Sequence, residues 1–541
     1  MGAEDDPNDT EEVSNSLADS DVPSPVDLES QVSFASHESK EDPGSSAEVC
    51  ARIVTDMQLV EPAMLRATPA AVVLNRLGHA LRTEKNSADA FANSKPCKAI
   101  DQFWSHSWNG HTLYKVLLLL VLHNGLAAVV MGTLGSVLVL PLVLSGWLPA
   151  WQAGKSAGGW CVLSGTLVTA LTFFLWQPQK RVFIDRICIN QNDPELKFAG
   201  VLSIGGILKN SRSMLVCWDE TYFQRLWCVF ELAAFLKSHD ESATELDIRP
   251  TFLGPCAACL FLMTSAAMLV IRPQQEAKAY LDTPINAAIW VCGVFFVVAP
   301  VGAACLRDFF CKLEGMKDQL PKFCLRDPTC HCCETGHVLD SGQVMSCDRE
   351  VMEDCIRSWF GSTIRFESHV RTRVLPEVEK RLGKYLFPYH MLAGCCIPLV
   401  WAHLDGLAIA MVDEDWRHLA ERSIYVLSRW LCELPIFFAL AFPLMWNLRD
   451  RRPTLCADVA VNVLCMVLPL PVYYGMYVVG EYLRQTWGVF GMLIKLVLVF
   501  VATASLWPCC SYCPCRPRTR QSGEASTRTT GCDSEQPSAR A

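Results

Sequence analysis

Apolar and polar positions divide the chain into long runs with few charges, mixed stretches and polar ends. Residues 116–148, 159–176, 251–271, 284–305, 386–411, 424–447, 455–479 and 487–507 are the apolar runs, and they predict eight membrane-spanning helices. Residues 181–237 read instead as soluble fold. Val182, Phe183, Ile184, Ile187 and Ile189 make a β-rich run over 181–189 that ends in the turn-prone Asn190-Gln191-Asn192-Asp193-Pro194. Residues 195–210 have helical spacing, with Leu196, Phe198, Leu202, Ile207 and Leu208 inward, although Gly205-Gly206 weakens the helix. Residues 213–218 form a second buried strand, and a helix starting near Tyr222 carries Glu231, Leu232 and Phe235. Strand, helix, strand, helix with short connections predicts a parallel α/β sheet. Another strand, at 100–107, precedes the first two apolar runs. Residues 116–176 therefore read as a membrane hairpin inserted inside an α/β domain of residues 100–240. A two-span insertion returns the chain to its starting side, so the sheet can still close.

Three motifs in this region resemble a known family. The run from Ser211 to Trp218, followed by Trp227-Cys228-x-x-Glu231-Leu232, is similar to the strand-and-helix signature of Toll/interleukin-1 receptor (TIR) domains. Asp101-Gln102-Phe103-Trp104-Ser105-His106-Ser107 is similar to their first strand. The run from Phe183 to Asp193 resembles the motif of the related heterokaryon-incompatibility (HET) domains. The motifs stand in the right order and the likeness covers roughly a fifth of the chain. It implies a TIR/flavodoxin-like parallel sheet, and a homo-oligomer that signals or responds to stress by self-association. It also implies NAD as a substrate, with Glu231 catalytic and Trp104, Ser105, His106, Asp185 and Trp227 around it.

The chemistry is consistent with a single carboxylate. Nicotinamide leaves neutral, and a carboxylate beside the ribose stabilises the oxocarbenium-like cation that remains. Alternatively, Glu231 is a surface or capping residue in a catalytically silent scaffold, or the α/β unit regulates a transporter or channel. No Gly-x-Gly-x-x-Gly follows a strand, which argues against nicotinamide-dependent hydride transfer.

Composition sharpens the membrane reading. Hydrophobic residues make up 51% of the 541 positions and charged residues 19%, with a mean hydropathy of +0.21. That is too apolar for one soluble enzyme and implies a multi-pass protein whose partner is the lipid bilayer. The net charge of −9 is concentrated in an acidic tail, 1–49, expected to be disordered, where Lys40 is the only Lys or Arg. An acidic balance with no basic–aromatic patch argues against nucleic acid as a partner. Residues 50–99 read as a helical segment. Lys180-Arg181, the Arg449, Arg451 and Arg452 loop, and Arg516, Arg518 and Arg520 fall on one side of an eight-span bundle. The α/β domain and both termini are therefore expected to be cytoplasmic; the membrane itself is not specified.

Two further regions carry candidate chemistry. The 306–385 segment, between the transmembrane pair at 251–305 and the four spans of 386–507, is rich in Cys and His. Thiolate and imidazole ligands in a reducing compartment suit structural zinc, and Cys330, Cys333, His337 and Cys347 make one ligand set. Free or lipid-modified cysteines are the alternative. The 508–541 tail opens with Cys509, Cys510, Cys513 and Cys515, placed for palmitoylation. Inside the spans, Asp405, Arg429, Glu433, Asp458, Asn462 and Lys495 read either as a transport path or as pairs that steady the bundle.

Overall fold

The sheet is built from pieces far apart in the chain. The computed structural model describes residues 52–82, 87–148, 159–239, 245–276, 284–334, 336–337, 347–376, 388–412 and 416–511. The expected acidic tail 1–49, residues 512–541 of the Cys-rich tail and the end of the 306–385 segment lie outside them. The order of elements begins β1 (Arg66–Pro69), α1 (Ala70–Arg82), β2 (Lys95–Pro96) and β3 (Gln102–His106). It continues with α2 (Thr112–Leu144), α3 (Trp160–Leu175), β4 (Arg181–Phe183), α4 (Pro194–Leu202), α5 (Ile204–Lys209), β5 (Met214–Trp218), α6 (Leu226–Ser238) and β6 (Leu246–Pro250).

The six strands lie in the order β2-β1-β4-β3-β5-β6. β3 runs parallel to β4, with Gln102 opposite Val182 and Phe103 opposite Phe183. It also runs parallel to β5, which pairs in parallel with β6. The two sides of the membrane hairpin thus become neighbouring strands. The chain steps from β3 to one side for β4, then crosses to the other side for β5 and β6.

Several expectations need correction here. Residues 50–99 are not only helical: Arg66–Pro69 and Lys95–Pro96 add two antiparallel strands at the β4 edge. They are short and contain Pro69 and Pro96, which suits an edge and hides them from pattern reading. The apolar run 181–189 is a strand only through Phe183; Asp185–Cys188 is a helical turn. An apolar run of this length does not separate strand from buried helix. The expected 195–210 helix is split at Ser203, whose hydroxyl accepts from Val60 N at 3.0 Å. Gly205 and Gly206 are needed for close approach, because a Cβ there would meet Val54 O at 2.9 Å and Gln58 C at 2.8 Å. Asp193 starts α4 by accepting from the Glu195 and Leu196 amides at 3.0 and 3.2 Å.

α2 roots the membrane hairpin in the domain. Its first turns bury Lys115, Val116, Leu118, Leu119 and Leu120. Lys115 donates to the carbonyls of Ser107 and Gly110. Farther along it exposes apolar side chains, with Leu126 80% and Leu138 73% accessible, an apolar surface consistent with a membrane-spanning helix.

After β6 come α7 (Leu253–Glu276), α8 (Pro284–Gln319), α9 (Asp348–Phe360), α10 (Pro398–Val412), α11 (Trp416–Ser428), a π-helical turn at Arg429–Glu433, α12 (Leu434–Asn447), α13 (Leu455–Val467) and α14 (Leu470–Ser511). Among the described residues three helical stretches are long and apolar enough to cross a membrane: Thr112–Leu144, Leu419–Asn447 and Leu455–Trp507. Trp160–Leu175 and Leu253–Leu269 are apolar but shorter. The described residues therefore contain several long apolar helices of the membrane-spanning type.

The expected loop at 480–486 is helical, because Glu481 takes up Arg484 at 2.6 Å and Gln485 at 2.9 Å. α14 reverses instead at Gly488 (φ +57°), and a Cβ on Gly480 would then lie 2.6 Å from the Lys495 side chain. The described part of the 306–385 segment packs against the sheet domain. Trp359 donates to Thr55 O at 2.9 Å and stacks on Phe230, and its neighbours share one continuous core with the sheet.

Charges inside the bundle are paired. Asp405 accepts from the Cys161 and Val162 amides at 2.9 and 3.4 Å, capping α3. Arg307 bonds Asp458 at 2.9 Å, Asn462 at 2.5 Å and the carbonyls of Leu448 and Asp450.

Candidate functional site

α6 is apolar on nearly every side, with Leu226, Cys228, Val229, Phe230, Leu232, Ala233, Ala234, Phe235 and Leu236 all buried. A helix so enclosed offers no solvent face for a carboxylate. Glu231 nevertheless sits in its second turn, aimed at the carboxyl end of β3. Successive β3 side chains alternate between faces. Phe103 and Ser105 turn towards Glu231 and Phe183, whereas Trp104 turns the other way, towards His123 at 5.2 Å.

Ser105 Oγ lies 2.5 Å from Glu231 Oε2 and 2.8 Å from the Tyr222 hydroxyl, and Tyr222 donates to the Cys228 carbonyl at 3.2 Å. Ser105 donates to the Glu231 carboxylate, a bond that favours the ionised acid. Burial acts in the opposite direction. It pushes Glu231 up to about 8, against the pull of the Ser105 bond and the Arg225 charge and with the push of Asp185.

Glu231 borders a small cleft with a cavity volume of about 30 Å³, lined also by His106, Trp108, Asp185, Arg225 and Trp227 among others. Burial, and the cations Lys115, Arg186 and Arg225, hold His106 well below the ordinary imidazole range, so its ring is neutral. Burial raises Asp185, which accepts from Trp108 Nε1 at 3.0 Å. Arg186 stacks on Trp108, its guanidinium carbon 3.7 Å from the ring centroid. Ser107 and Thr221 hydroxyls, 2.7 Å apart, tie the exit of β3 to the turn after β5.

Of the residues named from sequence, Ser105, His106, Asp185, Trp227 and Glu231 converge here. Trp104 borders the cleft, but its indole is committed to Gln102, to which it donates at 3.0 Å, and to the α2 face. The role of stacking on a ligand ring therefore does not suit it. Asn190 serves a turn, accepting from Asn192 and Asp193.

Arg225 and Trp108 were missed. Arg225 precedes the first residue of α6, where a Ser, Thr, Asp or Asn is the usual cap and a cation opposes the helix dipole. That mismatch was a readable signal. Arg225 is only 7% exposed, and its Nη1 has no hydrogen-bond partner among the described residues. A buried guanidinium with a free donor at a cleft is suited to an anion.

Comparison with protein-family models, with curated proteins and with solved structures returns no match. What the site can do rests on its geometry.

The Cys/His segment forms a second site. Cys332, Cys333, His337 and Cys347 bring four ligand atoms within 4.8 Å of one another, and Cys330, Cys332 and Asp348 form an adjoining group. Cys330 thus gives way to Cys332 in the four-residue set. Cys332 and Cys333 share the helical turn His331–Glu334, where both sulfurs reach the same side, 3.9 Å apart. Adjacent cysteines can therefore reach one centre in that turn.

Proposed function

We propose that this chain is a multi-pass membrane protein whose α/β domain is TIR-like, faces the cytoplasm and hydrolyses NAD at the Glu231 cleft, signalling through self-association. One observation carries the reading: Glu231 meets Ser105 at 2.5 Å, at the carboxyl ends of β3 and β5 where the strand order reverses. Open parallel sheets bind ligands at that point. The orphan Arg225 donor supports a phosphate-bearing substrate, and Trp227 or Trp108 offers a ring to nicotinamide.

In this reading the ribose–nicotinamide bond breaks with its electron pair passing to the ring nitrogen, and nicotinamide leaves neutral. Ionised Glu231 stabilises the cation at the sugar carbon. Water adds there, and its proton passes to Glu231 and then to solvent. A carboxyl group that titrates near 8 is a better proton acceptor than an ordinary one. The cleft is narrow as it stands, so the reading includes its opening or its completion by a second protomer.

Nicotinamide release by the full-length protein in nanodiscs tests this. Turnover in the wild type that falls by about 10²–10⁴ in Glu231→Gln supports it. Equal rates in both proteins, or no release from monomeric or assembled protein, would refute it. A transport reading is favoured by one other observation, the buried Lys495–Glu433 pair at 2.6 Å beside a π-helical turn. Substrate flux in liposomes without NAD cleavage would select it.

A further inference from the structure

The cysteine site has the dimensions of a metal centre and a mechanical link to the cleft. In a tetrahedral site with Zn–S bonds of about 2.3 Å, neighbouring sulfurs stand about 3.8 Å apart. Cys332 and Cys333 are separated by 3.9 Å, and Cys333 and Cys347 by 3.7 Å. The fourth member arrives by an unusual backbone path. Gly336 and His337 have φ of +68° and +59°, and a left-handed conformation at a histidine is uncommon. The turn folds His337 back, its amide donating to Cys332 O at 2.8 Å. Its Nε2 is buried with no hydrogen-bond partner among the described residues. A buried, unpartnered imidazole nitrogen beside three thiols is a ligand atom in waiting. Cys347 immediately precedes α9 and brings its sulfur to the same cluster.

The same segment grips the start of α6. Arg349, on α9, donates to the carbonyls of Leu325 and Pro328. The next residue, Thr329, pairs with the 224–226 strip: its amide donates to Gln224 O at 2.7 Å and its carbonyl accepts from Leu226 N at 3.0 Å. The Leu226 amide is one of the first-turn N–H groups of α6 and finds its partner here rather than in a cap. Between Gln224 and Leu226 lies Arg225, and Glu231 follows on the same helix. The chain from sulfur cluster to cleft is therefore continuous: Cys330 adjoins Thr329, and Thr329 holds Arg225 in place.

We propose that Cys332, Cys333, His337 and Cys347 bind one Zn²⁺, and that the ion clamps the 325–330 loop onto the start of α6, positioning Arg225 and Glu231. The clamp's effect on turnover rests on the function proposed above; the zinc and the clamp do not. The test uses full-length protein in detergent, purified without chelator, with folding monitored by circular dichroism and gel filtration. Metal analysis should give about one zinc per chain. Cys347→Ser and His337→Ala should lose it, whereas Cys330→Ser should keep it. No zinc in the wild type, or its loss in Cys330→Ser with retention in Cys332→Ser, would overturn the site.

Should the ligand variants fail to fold, reconstitution of chelated wild type with Co²⁺ is the second readout. A thiolate-to-metal absorption band is expected, and its absence would refute thiolate ligation. Amide exchange then tests the clamp. Removing zinc should speed exchange at Leu226 and Thr329 by tenfold or more while the β3 and β5 amides stay protected, whereas unchanged exchange at Leu226 and Thr329 would overturn it. These readouts need no NAD turnover, so failure of the clamp and failure of the hydrolase reading are distinguishable.

Discussion

Two glutamates in this molecule, Glu433 fully buried and Glu231 partly buried, have opposite surroundings. Glu433, in the helical bundle, is fully buried, lies 2.6 Å from Lys495 Nζ and 3.9 Å from Arg429 Nε, and accepts from Ser428 at 2.9 Å. Lys495 and Arg429 both sit near the Tyr425 ring as well. Glu231, in the α/β domain, accepts from the Ser105 hydroxyl and faces a cleft, and Arg225, which lines the same cleft, forms no ion pair with it among the described residues. Burial costs a carboxylate its hydration in both places. In the bundle two cations compensate, and the acid is fixed in a structural pair. At the cleft nothing compensates fully, so the acid keeps its proton and its capacity to react. Burial alone does not mark a functional acid; burial without a matching cation, beside an open volume, is the informative combination.

The comparison can be broken at several points. The largest effect is expected from Glu433→Leu, which strands Lys495 in the bundle and should cost about 3–5 kcal/mol. Thermal unfolding in detergent would show it as a large drop in Tm, and an unchanged Tm would mean that the pair is not structural. Glu231→Gln should act with the opposite sign. The folded protein holds the Glu231 proton more tightly than the ordinary value of 4.5, at about 8. The folded state therefore loses stability from this group as pH rises from 4.5 to 8, and the loss is complete above 8. Glu231→Gln should then be more stable than wild type at pH 9, with the difference shrinking towards pH 5. A variant less stable at every pH would contradict the assignment.

Catalysis should follow the reverse trend. It needs the ionised form, so NAD turnover should climb through about pH 8 rather than level off near 5. The smallest effect belongs to Ser105→Ala, which removes the hydrogen bond donated to Glu231 at a cost of about 1 kcal/mol. Because the Ser105 bond lowers the Glu231 pKa, its loss should move the turnover midpoint further upward. A downward shift would show that Ser105 does not bond the ionised acid.

Much of this was readable from residue order. Ser105 at the end of an apolar strand and Glu231 on an otherwise apolar helix are chemical exceptions to their surroundings, and sequence preserves such exceptions. The rejoining of β3 and β4 across the hairpin was readable because an even number of spans returns the chain to its starting side.

What escaped depends on three-dimensional compensation. Trp104 reads as a ligand-stacking ring until strand alternation turns it towards His123 and α2. The reversal at Gly488 was hidden because Glu481 and Arg484 satisfy each other and keep a polar stretch helical. Asp405 reads as a transport residue, and only the fold shows that it caps α3 from another helix. Cys332 joins the ligand set only because a helical turn brings its sulfur beside that of Cys333.

Infrared spectroscopy tests the central claim most directly. The carboxylic-acid C=O band of Glu231 can be isolated by subtracting the Glu231→Gln spectrum. It should be present at pH 7 and fade with a midpoint near 8. A band already absent at pH 7, with a midpoint near 4.5, would show that Glu231 is an ordinary ionised side chain.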